Sequence, residues 1–239
     1  MPVGIPKIPY VVIQDKDKDG KEDETWVEIF DILSRERILF LGSKIDSELA
    51  NEITGLFMYL NLENPHKKFH LFINSPGGSV MGGVSIFDSI SYVKSAVHTT
   101  CIGRAASIAS LILSGGTPGE RTAFPHARIM IHQPLSTFFD GNPIIHTREI
   151  NEVLALRDMI VHMYMGTTLQ SHMQLLNDLE RDEFMSTQDA IFYGLIDSVS
   201  QDPFACIDME RIRYDINAIK RDDGDTPSTS AFGVGDNFP

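Results

Sequence analysis

Apolar positions along the chain come in short unbroken runs, separated by segments in which they recur at helical spacing. Arg37-Ile-Leu-Phe-Leu-Gly42 is the first such run and predicts a short buried strand. Asp46 then predicts the cap of a helix carrying Leu49, Ile53, Phe57 and Leu60 on one face. Phe69-His-Leu-Phe-Ile-Asn74 reads as the next strand and breaks off at Ser75-Pro-Gly-Gly78. A helix from about Val80 places Val84, Phe87 and Ser91 along one line. Val97 to Ile102 predicts a third strand, after which a small-residue turn leads to a helix opened by Ser107. Ala127-Arg-Ile-Met-Ile-His132 predicts a fourth. A long helix from about Ile144 to Met165 would turn Ile150, Leu154 and Val161 inward. Ser186-Thr-Gln-Asp189 resembles a capping box before the short helix TQDAIFY, which Gly194 stops, and Leu195 to Val199 forms a last strand.

Continuous apolar strands alternating with amphipathic helices predict an α/β protein whose mostly parallel sheet is covered on both faces. The alternation belongs to one domain, spanning residues 25–202, without internal repeats. Residues 1–24 combine Pro2, Pro6 and Pro9 with the charge run DKDKDGKEDE, which predicts a mobile arm or hairpin. Residues 203–239 end in RDDGDTPSTSAFGVGDNFP and read as a largely disordered extension.

Charge narrows the partners. A net charge of −13 argues against nucleic acid, whose phosphates require clustered Lys and Arg. No apolar run reaches the length of a membrane-spanning helix. The two cysteines, Cys101 and Cys206, sit far apart in unlike contexts, so no disulfide framework and a reducing compartment are expected. The opening MPVGIPKIPY has neither the pattern of a signal peptide nor that of a transit peptide, and the protein is expected to work where it is made.

Functional groups of parallel sheets gather beyond the carboxyl ends of the strands. There the sequence places the Gly77-Gly78 turn, Ser107 at a helix start, and His132 before a proline. A serine at that place is either a plain helix cap or a nucleophile. Activation requires a base and a third group to orient it. The first-turn amides and the positive helix end would favour an oxyanion, with Gly78 and Ile108 as the N–H donors. His126 lies at the wrong end of its strand. His66, His70, His98, His146, His162 and His172 fall in loops, strand interiors or helix surfaces. His66 and His70 have the spacing of helix-borne metal ligands, but Pro65 and the following strand break any shared helical face, and no metal is expected. The acid must come from the polar segment Glu180-Arg-Asp-Glu183, where charge alone does not choose among Glu180, Asp182 and Glu183. The G-x-S-x-G elbow, H-E-x-x-H and a phosphate-binding glycine loop are absent.

The segments FINSPGGSV, GRAASIASLIL, RIMIHQP and ERDEFMSTQDAIFYGLID resemble, in order and spacing, the blocks of the ClpP family, the proteolytic subunits of the ATP-dependent Clp protease. The resemblance covers roughly residues 25 to 200. It implies a crotonase-like spiral of βαβ repeats with a protruding handle of a strand and a long helix. It implies a serine endopeptidase with Ser107 as nucleophile, His132 as base and Asp182 as acid, and oxyanion amides at Gly78 and Ile108. Substrate would pair with Gly78, Ser79 and Val80, and with Leu135. Arg181 would couple ring-to-ring contact to the triad. Two stacked seven-membered rings, with mixed subunits, would enclose the sites. An AAA+ unfoldase would feed them unfolded protein, spending ATP itself, so that this chain needs no cofactor.

MPVGIPKIPY and FPHARIM look most like the plastid-encoded branch, which implies the chloroplast stroma; otherwise the cytoplasm is expected. The chain departs from the family's pattern at Leu135-Ser-Thr-Phe-Phe139, where relatives often have a glycine pair, and at Arg104, where bacterial relatives usually have glutamine. Two rival readings differ in class: a catalytically idle ring subunit, and an acyl-CoA enzyme of the same broad fold. The second would use paired oxyanion amides without a Ser–His–Asp set.

Overall fold

The computed structural model describes residues 6–11, 24–135 and 143–200. The expected extension 203–239, Cys206 and the Ser136–Phe139 stretch lie outside the described residues. Two compact units result. In the first, strands β1 (Lys7–Val11) and β2 (Glu24–Glu28) pair antiparallel, Lys7 opposite Glu28 and Val11 opposite Glu24. The expected arm at residues 1–24 lies mostly outside the described residues.

The second unit begins with helix α1 (Ile29–Arg35) and strand β3 (Ile38–Leu41). Helix α2 (Ser47–Glu63), β4 (Phe69–Ser75), α3 (Val80–Tyr92), β5 (Val97–Ala106) and α4 (Ile108–Ser114) follow. Then come β6 (Arg121–Ala123), β7 (Arg128–Ile131), α5 (Pro143–Thr168), α6 (His172–Asp178), β8 (Glu183–Met185), α7 (Thr187–Tyr193) and β9 (Ser198–Val199). Strands β3, β4, β5, β6 and β9 lie side by side in that order, all parallel. Strand β7 also runs parallel to β5 and pairs antiparallel with β8. The chain is thus α/β with a mostly parallel sheet, as its apolar alternation predicts.

Strand β5 differs from the sequence expectation in a way that matters for the site. It does not end at Ile102 but runs on through Gly103-Arg-Ala-Ala106. Its first half pairs with β6, Thr99 opposite Arg121, and its second half with β7, Ala106 opposite Met130. One strand is shared by two neighbours in succession, so the sheet divides, and Ser107 leaves directly from its end. Strand β6 was not expected at all, because RTA is too short and polar to show a pattern.

The core lies where apolar strands meet helix faces. Ile53, Phe57 and Leu60 of α2 are buried as expected, and Asp46 caps that helix by accepting the Leu49 N–H at 2.9 Å. Helix α4 is buried over its whole length, which an all-round apolar helix requires. Along α3 the inward residues are Val84, Ile86 and Ile90, whereas Ser91 is exposed. Helix α5 buries Ile160, Val161 and Tyr164, but Ile150 and Leu154 are 43% and 53% exposed. Tyr164 and Thr167, near its C-terminal end, bond to Ser110 and Ser114 of α4, whereas two of its three expected inward residues face out. Leu195 and Ile196 are buried but not in β9, because their N–H groups return to the Ala190 carbonyl at the end of α7. Cys101 is buried among apolar neighbours, which pushes its thiol up to about 12 and keeps it protonated.

One guanidinium ties these layers together. Arg121 on β6 donates through Nη1 to the carbonyls of Ser114, Thr167 and Gly194, at 3.3, 2.9 and 3.0 Å. These carbonyls terminate α4, α5 and α7, where the negative end of each helix favours a cation. Its Nε and Nη2 are held by Asp197 at 3.0 and 2.6 Å. Burial works to raise the Asp197 carboxyl, but the Arg121 hydrogen bonds and charge, with the Gly119 N–H, outweigh it and hold that carboxyl below its ordinary value. Among the described residues, no helix is long and apolar enough to cross a membrane.

Candidate active site

Three parallel strands, β4, β5 and β7, end beside one another and deliver the site. Ser107 follows β5, and its N–H donates to the Met130 carbonyl of β7 at 2.8 Å. The residue occupies φ 58° and ψ −132°, a region that costs a non-glycine side chain about 1–3 kcal/mol. Local bonds hold it there. Its carbonyl accepts from the Ser110 N–H at 2.9 Å and from Ser110 Oγ at 2.6 Å. Although Ser107 stands at the cap position of α4, its hydroxyl makes no capping bond. It lies instead 2.7 Å from His132 Nε2. The cap and the nucleophile were alternatives in the sequence; in the structure the side chain serves the histidine.

Strand register decides which acidic side chain lies beside His132. On the β7–β8 ladder, Met130 faces Phe184 and Ile131 faces Glu183. One step further, His132 meets Asp182, and His132 Nδ1 lies 3.1 Å from Asp182 Oδ1. Because side chains alternate across a strand, Glu183 sits on the other face from Asp182. Glu180 is 3.7 Å from Arg157 and belongs to that pair. The Gln133 N–H donates to the Leu179 carbonyl at 2.8 Å, which closes the ladder just past the site. The His132 ring is 17% exposed and the Asp182 carboxylate 65%, so the line runs from a sheltered serine to an acid at the surface. In this order Nδ1–H donates to the carboxylate and Nε2 is free to take the Ser107 proton.

The Gly77-Gly78 turn forms the facing wall. Ile45 bridges to Gly78 in parallel, donating its N–H to the Gly77 carbonyl at 3.0 Å and accepting from the Ser79 N–H at 2.8 Å. This pattern turns the N–H and C=O of Gly78 away from Ile45. A Cβ at Gly77 would lie 2.6 Å from the Ala106 carbonyl oxygen and 2.8 Å from Ser107 Cβ; one at Gly78 would lie 2.1 Å from the Ile45 oxygen. Both residues also have positive φ, 87° and 154°. Ile108 begins α4, where its N–H has no acceptor within the helix.

The other residues singled out in the sequence fall as follows. Ser79 caps α3, accepting the Gly82 N–H at 3.2 Å, and Val80 is the first residue of that helix. With the Ser79 N–H committed to Ile45, the outward backbone groups of this segment are those of Gly78 and the first-turn amide of Val80. Leu135 is 81% exposed beyond His132, and Arg181 is exposed beside Asp182.

Two residues that sequence reasoning passed over belong to the site's support. Ser110 Oγ lies 2.8 Å from the Tyr164 hydroxyl and 2.9 Å from the Met130 carbonyl, besides its bond to Ser107. Tyr164, on α5, is also 3.4 Å from the Ser107 carbonyl. Burial pushes the Tyr164 phenol well above its ordinary value, so it remains a donor. The carbonyl of Ser107 is thereby attached to the long helix. Nothing local marks this contact in the sequence, since Ser110 resembles any mid-helix serine.

Residues 21–203 match the Clp protease family. The chain belongs to that family. It is 47% identical over 205 residues to the ATP-dependent Clp protease proteolytic subunit of Chara vulgaris, covering 86% of this chain and 91% of the relative. It is 45% identical to the subunit of the same name from Marchantia polymorpha, with 84% and 96% covered. The figures for the one from Anthoceros angustus are 46%, 84% and 95%. These relatives come from plants and algae. Membership in the Clp protease family makes the chain a proteolytic subunit and a hydrolase of the serine-endopeptidase type.

Proposed function

We propose that Ser107, His132 and Asp182 carry out peptide-bond hydrolysis through an acyl-enzyme. The observation that supports this reading is the contact of Ser107 Oγ with His132 Nε2 at 2.7 Å while Asp182 holds Nδ1. His132 takes the hydroxyl proton as Oγ attacks the scissile carbonyl. The Gly78 and Ile108 amides donate to the oxyanion, which forms where the α4 dipole also favours negative charge. Collapse of the intermediate expels the amine, which receives its proton from His132. Water, deprotonated by the same imidazole, then releases the acyl group. Asp182 stays ionised and keeps the ring in the productive tautomer.

The substrate is unfolded polypeptide, laid as an extended strand along Gly78 to Val80 and Leu135 and bound through its main chain with little sequence preference. The chain assembles with other Clp-type subunits into two stacked rings of mixed composition, with Arg181 at the ring-to-ring contact. An AAA+ ATPase delivers substrate, and the chain itself uses no cofactor. Its place is the plastid stroma.

Hydrolysis of a fluorogenic peptide by the purified complex, together with labelling by a fluorophosphonate, tests the assignment. Modification at Ser107 and loss of turnover in Ser107→Ala are expected. An unchanged rate in that variant would overturn the assignment. An assembled but unlabelled chain would make it a structural subunit.

A further inference from the structure

Away from the site, α5 and α6 bring together three side chains of metal-binding type. One donor atom each of Asp158, His162 and His172 lies within 4.8 Å of the other two. Asp158 and His162 are one helical turn apart on α5, and His172 opens α6 opposite them. The two imidazole rings sit 5.6 Å apart at 56°. We propose that these three residues form a binding site for a divalent transition-metal ion of the zinc class, which clamps α5 to α6.

The geometry carries the proposal in two ways. Four-coordinate zinc, with ligands near 2.0–2.1 Å, sets its donor atoms about 3.4 Å apart. His172 Nε2 lies 3.3 Å from Asp158 Oδ1, which is already that separation. Secondly, His162 Nδ1 lies 2.8 Å from the Asp158 backbone carbonyl. The same Nδ1 lies 3.5 Å from Asp158 Oδ2, so this ring too meets the carboxylate near the spacing of such a site. Two imidazoles and one carboxylate select zinc-type ions over calcium or magnesium, which prefer all-oxygen shells. Water completes the coordination at the exposed side. The ligands' spacing across a helix break explains why the sequence shows no metal motif.

The clamp would act on elements that matter to the site. Helix α5 carries Tyr164, bonded toward Ser107, and α6 leads through Leu179 to Asp182. The clamp is independent of the proteolytic reading, and its test reads metal uptake rather than hydrolysis. The assembled full-length protein is stripped with a chelator and titrated with Zn2+ alone by calorimetry. About one equivalent per chain is expected in the wild type and in His132→Ala, which removes the competing imidazole of the triad. Affinity should fall at least about 10-fold in His172→Ala, and uptake should vanish in the His162→Gln/His172→Gln double variant. Unchanged uptake in the double variant, or no saturable uptake in the wild type, would overturn the proposal. Co2+ added to the wild type keeps the question decidable if a variant misfolds. Intense visible bands of a four-coordinate nitrogen–oxygen site are expected, and the weak spectrum of six-coordinate Co2+ would refute the site.

Discussion

His132 and Asp182 meet because they occupy the next register position on the antiparallel β7–β8 ladder, which leaves Nδ1 and Oδ1 3.1 Å apart. Their pairing is therefore backbone-determined. Asp182→Asn keeps the shape but supplies an amide that can stabilise the wrong imidazole tautomer. A fall in kcat of about 10²- to 10⁴-fold with KM little changed is expected. Glu183→Gln, on the opposite face, and Glu180→Gln, which removes only the exposed pair with Arg157, should leave kcat within about 2-fold, because exposed ion pairs contribute little. Steady-state hydrolysis of a fluorogenic peptide by the three variants decides the matter. Equal losses in all three would break the argument from register.

The Ser110 hydroxyl is placed so that its removal should hurt more than removal of its phenolic partner. Tyr164→Phe deletes one donor but leaves Ser110 bonded to the Ser107 and Met130 carbonyls. That change should cost about 1 kcal/mol, or about 2–4 °C in melting temperature. Ser110→Ala withdraws the group bonded to the Ser107 carbonyl at 2.6 Å and leaves the buried Tyr164 hydroxyl only a 3.4 Å contact. A larger stability loss, about 1–3 kcal/mol, is expected. Because Ser107 is held at a strained φ by these bonds, kcat should fall as well, with KM unchanged. Ser110→Thr, which restores the hydroxyl, should recover kcat in part; failure to do so would reduce Ser110 to a packing residue.

Periodicity reveals the elements that fill the core, and it fails where a partner strand or an exposed helix decides. FHLFIN and the Ile53–Phe57–Leu60 face of α2 were legible because burial itself writes the pattern. GRAA was not, since small residues and a glycine read as a turn, and the strand exists only because β7 lies along it. The site was legible in part for the same reason. Ser107 and His132 stand at strand ends that the sequence marks. Asp182 is singled out by β8, whose EFM shows no strand pattern until it is paired. Ile150 and Leu154 read as core because α5 is apolar along that line, yet this chain alone does not cover them. The resemblance implies Asp182, and the ladder places that carboxylate beside His132.

The clashes at Gly78 are all with the Ile45 backbone, so no side-chain movement relieves them. Gly78→Ala would drive a methyl to 2.1 Å from the Ile45 oxygen. The turn must shift, breaking the Ile45 bridge and moving the Gly78 amide away from Ser107. Peptide hydrolysis should drop by at least about 10²-fold, the scale of losing one oxyanion donor. Gly82→Ala, by contrast, meets the Ala50 methyl at 3.2 Å and the Asp46 carbonyl and Ile45 Cγ2 at 3.3 Å, and should retain most activity. Similar rates for the two variants would argue against an oxyanion role for this turn.

The pH dependence of stability should carry the mark of a histidine far from the site. His70 is buried on β4, its Nδ1 lacks a hydrogen-bond partner, and its ring lies 5.6 Å from that of His98. Burial first, and then the His98 and lysine charges, push His70 down from 6.5 to about 4, although Glu120 opposes the shift. Between these values the unfolded chain binds a proton that the folded chain refuses. Stability must therefore fall as pH drops from about 6.5 toward 4, and level off with respect to this group below that. His98 is lowered in the same direction, again mainly by burial, so the two add. Replacing His70 by Leu, similar in bulk and without a proton to bind, should flatten the slope of unfolding free energy against pH over this interval. Denaturant unfolding at pH 7, 5.5 and 4.5 for the wild type and His70→Leu measures it. Parallel curves would mean that His70 titrates alike in the folded and unfolded states.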